Sequence, residues 1–162
     1  MAKDPSADLE LTPVGGKRRG LHQWLTNFHL LVIALDPYTN ESAWILPTAA
    51  RIVQTFEQSD ARVALLVAAD DRDCRRFLGP MADEVLTFAD PDRTAVKEFG
   101  FERLPALVHL AMDGTVVNSA EGWQPLQWRH VTDHLSRMLR WSAPMIPTVK
   151  DPGPFEGSPA LL

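Results

Sequence analysis

Cysteine is almost missing from this chain. Its 162 residues include one, Cys74, so no intramolecular disulfide can form. That excludes both a disulfide-stapled scaffold and an internal dithiol switch. Long apolar runs are also missing. None approaches the ~20 residues that span a bilayer, and the leading MAKDPSADLELTPVGG lacks the apolar core of a secretory signal. A cytoplasmic protein without a membrane partner is expected. A basic face is missing as well: formal charge is -5, and the one basic run, Lys17-Arg18-Arg19, is too short for a nucleic-acid footprint. GGKRRG does not have phosphate-loop spacing, and no HEXXH pattern, Gly-x-Ser-x-Gly elbow or paired-carboxylate signature stands out. No cofactor or metal site is therefore read. Apolar residues make up 45%, enough for a core, and the length suits one domain with short tails.

The tails differ from the middle. Residues 1–18 are polar with prolines and glycines and read as a mobile lead-in. Residues 143–162 form a proline-rich tail; SAPMIPTVKDPGPFEGSPALL holds five prolines in 21 residues. Proline blocks helix and inner strand, so this tail is extended. It either hangs loose or lies along the domain on Met145, Ile146 and Phe155. Residues 19–142 alternate. GLHQWLTNF has helical spacing. LLVIAL, 30–35, is a continuous apolar run, the mark of a strand covered on both faces. Ser42 to Phe56 reads as an amphipathic helix with Pro47 in its first turns. RVALLVAA, 62–69, is a second strand, DDRDCRRFLGP a short helix, and EVLTF, 84–88, a third strand. In DPDRTAVKEFG, Asp90 suits an N-cap and Gly100 the exit. ALVHLAMDGTVVNSA is a hairpin turning at Asp113-Gly114. Gly122 leads to a last helix with the stripe Trp128, Val131, Leu135 and Met138. This order predicts an α/β fold: a mixed sheet, parallel at its centre, with a C-terminal antiparallel hairpin and helices on both faces.

Four features resemble the thioredoxin-like superfamily over about residues 20 to 141. They are the strand-to-helix junction ending in Pro47, the RLPALVHL stretch whose Pro105 matches the family's cis-proline, the Asp113-Gly114 hairpin, and Gly122 before the last helix. The extra segment 70 to 90 resembles the branch with peroxiredoxins and TlpA-like reductases. In that family the junction reads Trp-Cys-Gly-Pro-Cys, with a proline five residues on. Counting back from Pro47 gives Tyr38, Thr39, Asn40, Glu41 and Ser42. Hydroxyls stand at both cysteine positions. A thiol near pKa ~8.5 ionises readily at a helix N-terminus; an alcohol does not, and it forms no disulfide. The peroxiredoxin pattern sets its cysteine seven residues after a proline, and from Pro37 that position is Trp44.

Two readings of the junction follow. In one, Asn40 or Ser42 simply caps a helix and Glu41 favours its first turn. In the other, the resemblance implies a surviving groove for a protein or peptide partner, walled by Tyr38, Thr39, Asn40, Glu41, Ser42, Trp44, Leu104, Pro105 and Trp123. Redox relatives pair an extended peptide beside the cis-proline by strand addition. This predicts a non-redox binding module, with a chaperone or assembly factor as one form of it, rather than an enzyme. The enzymatic alternative is a one-cysteine peroxidase or thiol oxidoreductase acting through Cys74, whose neighbours Arg72, Arg75 and Arg76 could lower a thiol pKa. The competing expectation for Cys74 is inward packing beside Phe77 and Leu78. His130 and His134 fall on a solvated helix face with Gln127 and Arg137, and His109 is a strand side chain with a local partner. Of five tryptophans, Trp24, Trp128 and Trp141 fit core or rim positions, while Trp44 and Trp123 are left for the groove.

Overall fold

A computed structural model describes residues 2–161. In chain order the elements are β1 (Glu10–Pro13), β2 (Arg19–Gly20), α1 (Leu21–Trp24), β3 (His29–Leu35), α2 (Asn40–Trp44), α3 (Leu46–Phe56), β4 (Ala61–Val67) and α4 (Asp71–Leu78). There follow α5 (Met81–Glu84), β5 (Thr87–Ala89), α6 (Thr94–Phe99), β6 (Arg103–Leu104), β7 (Ala106–Leu110), β8 (Val116–Glu121), α7 (Pro125–Leu139) and β9 (Ser158–Pro159). Seven strands form one sheet in the order β2-β1-β5-β4-β3-β7-β8, and β6 pairs separately with β9.

The apolar run at 30–35 sits at the centre because both of its faces are covered. Leu31, Ile33 and Leu35 pack on one side with Ile52 and Phe56 of α3 and with Trp128, Val131 and Leu135 of α7. Leu30, Val32 and Ala34 face the other way, toward Trp24 of α1 and Val96 and Phe99 of α6. Side chains alternate along a strand, so a run of six apolar residues serves two cores at once. β3 pairs parallel with β4 and antiparallel with β7. The mixed sheet flanked by helices is the architecture the alternation predicts.

The ends and the lead-in depart from expectation. Where residues 1–18 read as a mobile lead-in, Glu10–Pro13 pairs antiparallel with both β2 and β5. Leu9 and Leu11 are buried, and four residues ending in proline carry too short a pattern to be read as a strand. The predicted single helix from Ser42 is two, α2 and α3, meeting at Ile45. Pro47 has no N–H to give the carbonyl four residues back, which breaks the ladder there. Met138 is 47% exposed and leaves the α7 stripe.

The register Ala34↔Ala106 between β3 and β7 sets the function-bearing geometry. β7 starts where β3 ends, so Pro105 lies beside the 36–42 junction. The Leu104–Pro105 peptide is cis, as the sequence predicts, and so is Ile146–Pro147.

Candidate functional site

The junction is built on Asp36, buried at the end of β3. Its backbone N–H donates to Ser42 Oγ at 2.9 Å. One carboxylate oxygen accepts the Tyr38 N–H at 2.9 Å, and the other pairs with Arg93 Nη2 at 2.9 Å. Ser42 is fully buried. Neither predicted cap is used as one: Thr39 occupies the N-cap position of α2, and its hydroxyl turns back to the Asp36 carbonyl at 3.2 Å. The hydroxyls of Thr39 and Ser42 thus tie the strand end to the helix. Glu41 is in the first turn of α2, as expected.

Tyr38 leaves this group. It is 63% exposed, and its O–H donates to Asp73 of α4 at 2.5 Å. That bond pushes the phenol up to about 12 and draws the Asp73 carboxyl down. Asn40 is exposed. Trp44 is half-exposed and meets Phe155 edge-on, with ring centroids 5.4 Å apart.

The side chains of Leu104 and Trp123 pack into the two different cores rather than lining one groove, and the backbone groups they offer are covered. Leu104 and Trp123 have no exposed area and Pro105 is buried. The cover is the chain's own C-terminal segment, residues 151 to 161, here called the strap. Ser158 and Pro159 pair antiparallel with Leu104 and Arg103. The Ala160 N–H donates to the Glu102 carbonyl at 2.9 Å. On its other side, the strap and Trp123 exchange two backbone bonds, Trp123 N–H to Phe155 O at 2.9 Å and Phe155 N–H to Trp123 O at 3.0 Å. The strap therefore runs as a strand between Leu104 and Trp123. Trp123, left for the groove by sequence, belongs to the core: it packs on Trp128 at 5.2 Å and gives its indole N–H to the Pro152 carbonyl at 2.8 Å. Part of its cover comes from residues about thirty positions away, Pro152 and Phe155, which local pattern does not show.

Two further holds were not legible in the sequence. The Asp151 carboxylate takes both Arg51 nitrogens, at 2.7 and 3.0 Å, together with Thr48 Oγ1 and the Thr148 N–H, each at 2.7 Å. Burial pushes this carboxyl up, but the hydrogen bonds from Arg51, Thr148 and Thr48 outweigh it and bring it down to about 2. At the far end, buried Arg93 donates to the Ala160 carbonyl at 2.6 Å while holding Asp36, so one guanidinium ties strap and junction together. Of the expected tail anchors, Ile146 and Phe155 pack inward, but Met145 is 71% exposed; its backbone carbonyl, not its side chain, is held by Arg51.

Cys74 lies on the inner face of α4 with no exposed area, its thiol toward the Ala69 carbonyl at 3.5 Å. Burial pushes the thiol up to about 12, and Asp71, Asp70 and Asp73 add to this against the weaker pull of Arg75. The flanking arginines do not activate it. His109 is buried, and its partner is not local: His29 Nδ1 lies 2.9 Å from His109 Nε2, with eighty residues between them. Burial first, then His29 and His134, pushes His109 down to about 4. Among the described residues, no group of three or more His, Cys, Asp or Glu side chains is arranged to hold a metal ion, and no helix is long and apolar enough to cross a membrane.

Known structures share this mixed central sheet flanked by helices. The thioredoxin domain of a thiol-disulfide oxidoreductase from Bacteroides vulgatus superposes with a TM-score of 0.65 at 10% identity, over 86% of this chain and 99% of that one. The fold is thioredoxin-like. A protein from Chlorobium tepidum that carries the name thiol:disulfide interchange protein DsbE gives a TM-score of 0.69 at 15% identity, over 86% and 98%. Peroxiredoxin Q of Xanthomonas campestris gives 0.64 at 14%, over 83% and 90%. The sequence matches no protein-family model and no curated protein. At such identities the likeness concerns the fold, and function has to come from the site.

Proposed function

We propose that this chain is a non-redox thioredoxin-like binding module that holds an extended segment of a protein partner by strand addition beside Pro105, acting as a chaperone or assembly factor. The observation that carries the reading is the strap itself. Leu104 and Trp123 offer backbone groups to a passing strand, and an extended segment occupies them with antiparallel pairing on both sides. Main-chain bonds of this kind give affinity with little demand on sequence, and flanking side chains add selectivity. Trp44, half-exposed at the rim, supplies an aromatic contact of the type enriched in binding hot spots. Dithiol chemistry has no atoms to work with at Thr39 and Ser42, and the one thiol is buried and poorly ionised; the Cys74 alternative gains nothing from the geometry. A cytoplasmic location belongs to the same proposal and is checked by fractionating cells that express the untagged chain.

Two assays test the reading. In insulin reduction with dithiothreitol, the full chain is expected to leave the chemical rate unchanged. A partner retained from native extract, identified and reconstituted from purified components, is expected to bind at least ~10-fold more weakly to Trp44→Ala, consistent with the ~2 kcal/mol of an aromatic hot spot. Catalytic turnover of disulfides would overturn the proposal, as would a reconstituted partner indifferent to Trp44→Ala.

A further inference from the structure

The strap shows what this face accepts. Gly157 has φ +91, and a Cβ built on it would lie 2.6 Å from the Leu104 carbonyl oxygen and 3.3 Å from Gly122 Cα. Gly122, across the pair, has φ +67, and its Cβ would land on the Glu156 carbonyl. Both obstacles are backbone, with no flexible side chain to yield, so the two segments approach this closely only where both are glycine. Two residues before Gly157, Phe155 sets its ring against Trp44 and its backbone against Trp123. Four residues before Phe155, Asp151 meets Arg51 as a two-pronged ion pair. Three features of different chemistry thus fall at fixed spacing along the segment: a carboxylate at the close of the Thr148–Asp151 turn, then an aromatic ring and a residue with no side chain on the extended stretch.

We propose that the partner segment of this face repeats the strap's own pattern, an acidic residue, an aromatic four positions on and a glycine two beyond that, and that the strap is its competitor within the chain. This rests on the binding function proposed above and specifies its ligand. Held in cis, the strap acts at an effective concentration on the order of millimolar for a short tether. A segment in trans has to outcompete it or find it already released. The Arg93 contact to the Ala160 carbonyl adds nothing to selectivity, since every residue offers a carbonyl.

The test uses the full-length chain and a fluorescein-labelled peptide of residues 150–161, KDPGPFEGSPAL, read by anisotropy. The double variant Asp151→Ala/Gly157→Ala weakens the strap at two holds, and chymotrypsin cleavage after Phe155 confirms that the strap is open. The peptide is expected to bind this variant at least ~10-fold more tightly than wild type. Peptides carrying Gly157→Ala or Phe155→Ala are expected to lose at least ~10-fold. If substituted and scrambled peptides bind the opened variant as well as the original, the pattern is overturned while a strand-accepting face survives. If no peptide binds the opened variant, both the pattern and the binding function fall. Should the double variant not fold by circular dichroism, wild type with millimolar peptide replaces it. Hydrogen exchange at the Phe155 and Ala160 amides is then expected to quicken with the original peptide and not with the scrambled one, and equal exchange under both refutes the proposal.

Discussion

Replacing Asp151 with alanine should loosen the strap and little else. Its side chain is 1% exposed, while that of Arg51 keeps 25%. The substitution removes the acceptor of four hydrogen bonds, two from Arg51 and one each from Thr48 and Thr148. The Arg51 guanidinium regains water. The Thr48 hydroxyl, at 0% exposure, does not. Hydrogen bonds to charged groups contribute about 1.5–3 kcal/mol and breaking a fully buried pair costs about 3–5; the partial exposure of Arg51 places this loss at ~2–3 kcal/mol. The Arg75–Asp83 pair is equally short, 2.6 Å, but its side chains are 45% and 70% exposed, so Asp83→Ala is the control. Chymotrypsin cleavage after Phe155 reads strap opening, because that peptide cannot enter a protease while paired with Trp123. When reclosing outpaces cleavage, the rate follows the open population. The expected acceleration is ~30- to 140-fold for Asp151→Ala, from tenfold per 1.4 kcal/mol, and under ~5-fold for Asp83→Ala. Equal rates in the two variants, or a wild-type rate in Asp151→Ala, would refute the claim that this carboxylate fastens the strap.

Three other outcomes are expected. Native Cys74 should react with a thiol reagent at pH 8 at least ~100-fold more slowly than in denaturant, as its burial and raised pKa require; a thiol titrating below pH 8 would contradict its packing. His109 keeps a folded pKa of about 4 against 6.5, so the unfolded chain takes the proton first; stability is fully present above pH 6.5 and falls by up to ~3 kcal/mol as pH drops toward 4. Urea unfolding across that window should show the slope, and His109→Gln should flatten it. Gly122→Ala forces a left-handed conformation and drives a Cβ into the Glu156 carbonyl; a loss of ~2 kcal/mol or more is expected by thermal unfolding, with unchanged stability as the contrary result.

What could be read from sequence is what local pattern determines. Leu30 to Leu35 announces a doubly covered strand because alternation alone distributes its side chains to two cores. Pro105 and Asp113-Gly114 are legible because each residue type fits few backbone conformations. The strap reads from sequence as extended, either loose or laid along the domain or its groove, with nothing to choose between these. Its position depends on Asp151 finding Arg51 a hundred residues away and on Gly157 finding Gly122, pairings that leave no periodic trace. Trp123 is ambiguous for the same reason: its local sequence, a glycine followed by an aromatic, is the same whether a ligand or the chain's own end covers it. His29 meets His109 through the β3–β7 register, which no single-strand pattern specifies.

The central claim is that the chain's own C-terminal segment fills the strand-accepting face beside Pro105. Residue-resolved hydrogen exchange on the native full-length chain tests it most directly. The account predicts slow exchange at the Trp123, Phe155 and Ala160 amides, each bonded across the strap boundary. Exchange of Phe155 and Ala160 at the rate of an unstructured peptide would contradict it.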